Sequence, residues 1–271
     1  MTDKKRIACF FTAGFTELNA MKTFMKKIND NVEYIQRCPI GPRKSKEAIK
    51  NRQMKYIDEK QNGYTGAKLI EFLLEYIGKP QFVEEQYDAI LIEDDKDERF
   101  LSVQPDGTAC IDTDAWKEYK DSVKCQIHKK FPEIPVIFFY AAPEVESWFL
   151  ADWENSFGYV YKSKLTKPQN KYFKTVFQNY VHNNILTSQY CNCLESFGYF
   201  DGKYKKLSAE IKSALETIDF LEGYMHGEEH MIVHYSKRND GAMMLENIDP
   251  QMVLRGCNCF FKNGLFELQA L

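Results

Sequence analysis

The stretch Tyr87-Asp88-Ala89-Ile90-Leu91-Ile92 runs without a break into Glu93-Asp94-Asp95-Lys96-Asp97-Glu98. A short apolar run of this kind predicts a strand buried on both faces, as in parallel sheets, and its abrupt end predicts a charged loop at the carboxyl edge of that sheet. Working outward, Lys5–Phe11, Val32–Arg37 and Ile134–Tyr140 read in the same way. Between these runs the apolar spacing changes from consecutive positions to every third or fourth, the period of a helix. Phe15, Leu18, Met21, Met25 and Ile28 form one stripe, ended by Asn29-Asp30-Asn31. After a polar connection over residues 39–63, Leu69, Ile70, Leu73, Leu74 and Ile77 form a second, capped by Thr65 and stopped at Gly78-Lys79-Pro80. Trp116, Tyr119, Val123 and Ile127 form a third over Asp114–Lys130. A further helix is expected to start at Ala141-Ala142-Pro143, with proline in its first turn.

Strands alternating with helices at these lengths predict an α/β fold over residues 1–158, with a largely parallel, twisted sheet flanked by helices. Residues 159–226 read as a mostly helical insertion. Residues 227–271 read as a C-terminal segment returning to the core, with Met231–Tyr235 as a strand.

Composition narrows the function classes. The 271 residues carry 36 Lys plus Arg against 39 Asp plus Glu, a formal charge of −3, which excludes a histone-like protein. With 44% hydrophobic and 14% aromatic residues the chain has ample surface to bury. No apolar run approaches the roughly 18 residues of a membrane span, and Met1–Arg6 passes straight into the first strand instead of a signal-peptide core, so a cytoplasmic protein with no membrane contact is expected. Its eight cysteines are then expected to be reduced. Two C-x-C pairs, Cys191/Cys193 and Cys257/Cys259, fall short of the usual zinc-site spacing and read as coincidence. His226-Gly227-Glu228-Glu229-His230 lacks the H-E-x-x-H order of a zinc protease, and no phosphate-binding glycine loop is present, so any ATP hydrolysis belongs to another chain.

In an open parallel sheet, functional groups collect at the carboxyl ends of the strands. Glu17 follows the first strand, Glu93, Asp94, Asp95 and Asp97 the third, and Glu144 and Glu146 the fourth. Taken singly, residues 93–98 fit a solvated loop and Glu17 a helix surface. Glu146, among Val145, Trp148, Phe149 and Leu150, needs a partner if it is buried. Taken together, converging carboxylates call for a hard divalent cation, Mg²⁺ or Mn²⁺, and such a centre suits hydrolysis of a phosphodiester. Arg43, Lys44 and Lys46, and Lys162, Lys164 and Lys171 beside Tyr161, Tyr172 and Phe173, are candidates to hold a DNA or RNA backbone.

The order strand, Gly14-Phe15-Thr16-Glu17, then an apolar strand into Asp95-Lys96-Asp97, resembles a Toprim domain, the metal-binding core of topoisomerases, primases and OLD-type nucleases. The segment Glu144-Val145-Glu146-Ser147-Trp148-Phe149-Leu150-Ala151-Asp152 is similar to the E-x-W-F-L-A-D segment of a Toprim-like family often encoded with ATPases in bacterial defence loci. The stretches Tyr235-Ser236-Lys237 and Ile248-Asp249-Pro250 through Cys257 and Phe260 resemble the way its members end. The resemblance implies that Asp95 and Asp97 are metal ligands, with Asp94 as the alternative register. It implies that Glu17 and Glu146 are ligands and catalytic acids, and that Lys237 stabilises transition-state charge. It also implies an antiviral effector with an ATPase partner; apart from the resemblance, the insertion is a candidate for homodimer contact or partner docking. One position departs from the pattern: the first acid after the opening strand falls at Ala13, which cannot bind metal, so a catalytically inactive module that binds protein or nucleic acid is the alternative.

Overall fold

The structure is a computed structural model. It describes residues 4–41, 61, 63–103, 105, 109–163, 165–168, 170–175, 194–196, 199–200, 203–204, 206–226 and 235–271. In chain order its strands are β1 (Lys5–Phe11), β2 (Val32–Cys38), β3 (Ala89–Asp95), β4 (Leu101–Val103), β5 (Ala109–Ile111), β6 (Val136–Ala141), β7 (Tyr199–Phe200) and β8 (Lys203–Tyr204). Two compact units are formed. One comprises residues 1–95, 112–140 and 260–271; the other comprises 96–111 and 141–259.

The first unit is α/β. Its four-stranded parallel sheet has the order β2-β1-β3-β6 and is flanked by helices. The apolar runs are continuous because β1, β3 and β6 have side chains buried on both faces, from Ile7 to Phe11, Ala89 to Asp94 and Val136 to Ala141. β1 pairs in parallel with β3, Ile7 opposite Ala89 and Phe11 opposite Glu93. Tyr34 of β2 locks the first helix, its hydroxyl donating to the carbonyls of Met25 and Asn29 at 3.0 and 2.8 Å. Leu69, Ile70 and Leu73 of the helix Ala67–Tyr76 are buried, as are Val123 and Ile127 of the helix Thr113–His128, which Asp112 caps through Ala115 N at 2.9 Å. The helix Phe261–Gln269 lies on β6 at Gly264, and Phe261 packs on Phe24 and Phe139.

The second unit holds two small antiparallel hairpins, β4–β5 and β7–β8, with helices Glu146–Ala151, Leu207–His226, Ala242–Asn247 and Pro250–Gly256. Trp153, Phe157, Tyr161 and Phe173 pack with ring centroids 5.0 to 6.0 Å apart. Asp152 is an anchor within the unit: its carboxylate accepts from Asp249 N at 2.8 Å and from Asn155 Nδ2. No helix among the described residues is long and apolar enough to cross a membrane.

Four local expectations are corrected. β3 does not end at Ile92 but runs on through Asp95, because Glu93 pairs opposite Phe11 and its carbonyl accepts from Thr12 N at 3.0 Å. The helix after β1 opens with a π-helical turn, Glu17–Met21, before the α-helix Lys22–Ile28. The helix after β6 starts at Glu146 instead of Ala141: the Ala142–Pro143 bond is cis, and the carbonyls of Ala141 and Pro143 accept from Lys96 N and Asp97 N at 2.7 and 2.8 Å, so they are not free to start a helix. Cys259 is disulfide-bonded, not reduced, to a cysteine outside the described side chains; Cys9, Cys38, Cys125 and Cys257 are free. Cys191 and Cys193, residues 227–230 and most of Met231–Tyr235 lie outside the described residues.

A methyl group at Gly264 would stand 2.5 Å from the Phe138 carbonyl oxygen and 2.8 Å from the Phe139 ring. Neither can yield without moving β6. Gly264→Ala should therefore destabilise the protein by about 2 kcal/mol or more in urea unfolding, and a change under about 0.5 kcal/mol would show that the helix is not seated so closely.

Candidate functional site

In the first unit the acids sit inside the carboxyl-terminal half of β3. Along a strand, side chains alternate between faces, so Glu93 and Asp95 share one and Asp94 takes the other. Asp94 is fully engaged. Its Oδ1 accepts from Thr65 Oγ1 and Gly66 N, both at 2.9 Å, and from Thr12 Oγ1 at 3.3 Å. It therefore ties the end of β1 and the turn before the helix Ala67–Tyr76 to β3. Gly66 makes this contact with φ +55°, a conformation that favours glycine.

Glu93 is the opposite case. It is 0% exposed; Oε2 accepts from Thr12 N at 3.2 Å, while Oε1 has no hydrogen-bond partner among the described residues. Burial pushes its carboxyl well above the usual glutamate range, and the neighbouring charges of Glu17, Asp95 and Asp94 push it further. Glu17 is itself buried and opens the π-helical turn, a distortion often found at functional sites. Its carboxylate lies against Gly14, where a built Cβ would overlap Glu17 Oε2. Asp95 is half-buried and its N–H donates to Thr12 Oγ1 at 3.1 Å. Ala13 is buried with its N–H on the Tyr64 carbonyl at 2.8 Å, and it brings no oxygen to the group.

Oxygen donors of net negative charge, one of them buried with an unused lone pair, fit a hard divalent cation. Among the described residues no three His, Cys, Asp or Glu side chains already stand in a metal-enclosing array. Mg²⁺ does not require one, since it is commonly held by one or two carboxylates and keeps several waters.

In the second unit, Lys96 is 0% exposed and donates to the carbonyls of Asp97 and Arg99 at 3.2 and 2.7 Å. Burial, with the Arg99 charge beside it, lowers its amine to about 7. The loop it gathers holds Asp97 at φ +50°, half-buried and 3.8 Å from Lys206 Nζ. Glu146 and Lys237 meet, together with Glu144 and Tyr235. Lys237 Nζ is 3.2 Å from Oε1 of both glutamates, and Tyr235 OH donates to Glu146 Oε1 at 2.7 Å. Glu144 is fixed by Ser208, whose N–H and hydroxyl donate at 2.9 and 3.2 Å at the start of the helix Leu207–His226. Burial raises the Glu146 carboxyl, Lys237 opposes that shift, and Glu146 Oε2 has no hydrogen-bond partner among the described residues.

Of the basic candidates, Lys162 and Lys171 are exposed, as is Tyr172 at 44%, whereas Tyr161 and Phe173 are buried. Arg43, Lys44, Lys46 and Lys164 lie outside the described residues. Glu93 and Glu144 were expected among the converging acids but were not singled out as ligands, and Tyr235 was given no role in the site. The i, i+2 spacing of Glu93 and Asp95 was the available signal. No protein-family model, curated protein or solved structure matches the chain.

The two neighbouring aspartates should separate cleanly in mutagenesis. Asp94→Ala strands three donors and should cost about 2–4 kcal/mol in chemical denaturation. Asp95→Ala, at a half-buried position among like charges, should change stability by less than about 1 kcal/mol. Equal losses would mean that Asp94 is not the scaffold residue.

Proposed function

We propose that the chain is a Toprim-like, Mg²⁺-dependent nuclease that hydrolyses phosphodiester bonds of DNA or RNA. The observation that carries this reading is Glu93: a fully buried carboxylate with one unpartnered oxygen, crowded by Glu17, Asp95 and Asp94 at the carboxyl end of a parallel strand. Without a cation such a group is a standing cost to the fold, which is the usual mark of a binding or catalytic centre. Glu93 and Asp95 would hold the ion, with Glu17 adding negative charge beside Glu93 as a ligand through water, and Asp94 supporting them through Thr12, Thr65 and Gly66. A bound Mg²⁺ or Mn²⁺ would supply charge for the attacking and leaving oxygens of the phosphodiester. Thr12 orients the donors, its N–H on Glu93 and its hydroxyl between Asp94 and Asp95 N.

In the second unit, taken by itself, Glu146, Lys237 and Asp97 keep in this reading the roles the resemblance implies, Glu146 and Asp97 as acidic ligands and Lys237 as a cation for developing charge. The substrate backbone is assigned to Lys162 and Lys171, with Arg43, Lys44, Lys46 and Lys164 in the same role. The biological setting proposed is cytoplasmic antiviral defence, with an ATPase as controlling partner and the possibility of a homodimer. Ala13 favours a second reading, a catalytically silent Toprim-like module that binds a partner protein or nucleic acid.

Incubation of the purified protein with single-stranded DNA, plasmid and bulk tRNA should give cleavage that EDTA abolishes and that Glu93→Gln and Asp95→Ala each reduce by about 100-fold or more. Cleavage indifferent to EDTA and to both substitutions would exclude this site. Mg²⁺ binding without cleavage of any substrate, even with an ATPase partner, would select the silent module.

Glu93 also fixes the sign of a stability effect. The folded protein retains a proton on Glu93 that the unfolded chain has released above the usual glutamate value of 4.5, so stability falls as pH rises from there toward the raised folded value. Thermal melts of metal-free protein should show this fall. Glu93→Gln should flatten it and stabilise the metal-free protein by about 1–3 kcal/mol at pH 8, while abolishing most of the stabilisation that Mg²⁺ gives the unaltered protein. A pH profile unchanged by the substitution would contradict the assignment.

A further inference from the structure

The Glu144–Lys237–Glu146 cluster of the second unit is unevenly held. Its carboxylates are buried and fixed, Glu144 by Ser208 and Glu146 by Tyr235. Lys237 is different. Its side chain is 39% exposed, and it is the first residue of a π-helical turn, Lys237–Gly241. An ammonium on a flexible four-carbon stem can leave toward water without disturbing either carboxylate.

The charges are also incomplete. Among the described residues one ammonium stands between the two carboxylates, a net charge of −1 for the three groups, and Glu146 Oε2 has no hydrogen-bond partner. A buried acceptor left unmade costs more than a made bond returns. Two fixed carboxylates bridged by one part-exposed ammonium are the arrangement that a doubly charged, oxygen-seeking ion would complete.

We propose that Lys237 is a tethered counter-ion occupying a divalent-cation position between Glu144 and Glu146, so that metal loads this pair only when the ammonium withdraws. The inference rests on the nuclease reading in taking Glu146 as a metal ligand, and it adds Glu144 to the ligands and a control to the site. In the metal-free protein the ammonium offsets part of the charge of the two carboxylates. After withdrawal the same amine is released to meet the negative charge of a phosphate, which gives Lys237 both tasks in sequence.

The test is Mn²⁺ titration followed by electron paramagnetic resonance. It uses the full chain, Lys237→Ala, Lys237→Gln, and each variant combined with Glu146→Gln. Removal of the ammonium is expected to add one Mn²⁺ per chain or to tighten binding by at least about tenfold, and Glu146→Gln should cancel the gain. Lys237→Gln keeps the length and a donor, and so preserves the test if the alanine variant fails to fold. Stoichiometry and affinity unchanged within about twofold, or a gain that survives Glu146→Gln, would overturn the proposal. Glu93→Gln separates it from the nuclease reading: there the Mn²⁺ bound by the unaltered protein is expected to be lost, while removal of Lys237 is expected to give the same gain.

Discussion

A carboxylate buried to 0% exposure with one oxygen unanswered is the constraint from which the rest of the first unit can be understood. Glu93 sits where β3 pairs with β1, opposite Phe11, so the backbone that carries it is fixed by the centre of the sheet. Its neighbours do not relieve it. Glu17, Asp95 and Asp94 add negative charge, and among the described residues only Thr12 N donates to its carboxylate. A group of this kind survives in a fold only when the surrounding structure over-determines it, and here Asp94 does so by binding Thr12, Thr65 and Gly66 at once. One acid of the run holds the scaffold so that its neighbours can be kept in an unfavourable place.

The second unit meets the same physical problem with a different answer. Glu144 and Glu146 are as deeply buried as Glu93, but each has a strong donor and they share the Lys237 ammonium. Lys96 is the converse, a cation buried among carbonyls and pushed down to about 7. Three buried ionisable clusters in one chain are a large fraction of what a marginally stable fold can carry. Within its own unit, Glu93 lies in the carboxyl-terminal half of β3, and in chain order Glu144 and Glu146 follow β6, positions where an open parallel sheet carries functional groups.

Much of this was legible in the sequence, and the places where it was not have physical reasons. The parallel strands announced themselves as continuous apolar runs because both faces are covered; β1 falls where the run Lys5–Phe11 places it. The helix Thr113–His128 followed from its apolar stripe, and its Asp112 cap was seen only in the structure. Charge misled the reading of β3, since three acids in a row look like a solvated loop, whereas pairing with β1 holds them in the strand. Helix signals misled at Pro143, where Lys96 and Asp97 capture the carbonyls that a helix would need. Glu144 was visible as an acid after the fourth strand, but its contacts with Ser208 and Lys237, and that of Tyr235 with Glu146, were not, because only the fold brings these residues together.

The central claim is that the unsatisfied oxygen of Glu93 is the seat of a divalent cation. Anomalous diffraction from crystals soaked in Mn²⁺ tests it most directly. The account predicts a peak at coordination distance, about 2.1–2.2 Å, from Glu93 Oε1, lost in Glu93→Gln crystals. Density showing no ion there at saturating Mn²⁺, with the Glu93 carboxyl unchanged, would contradict it.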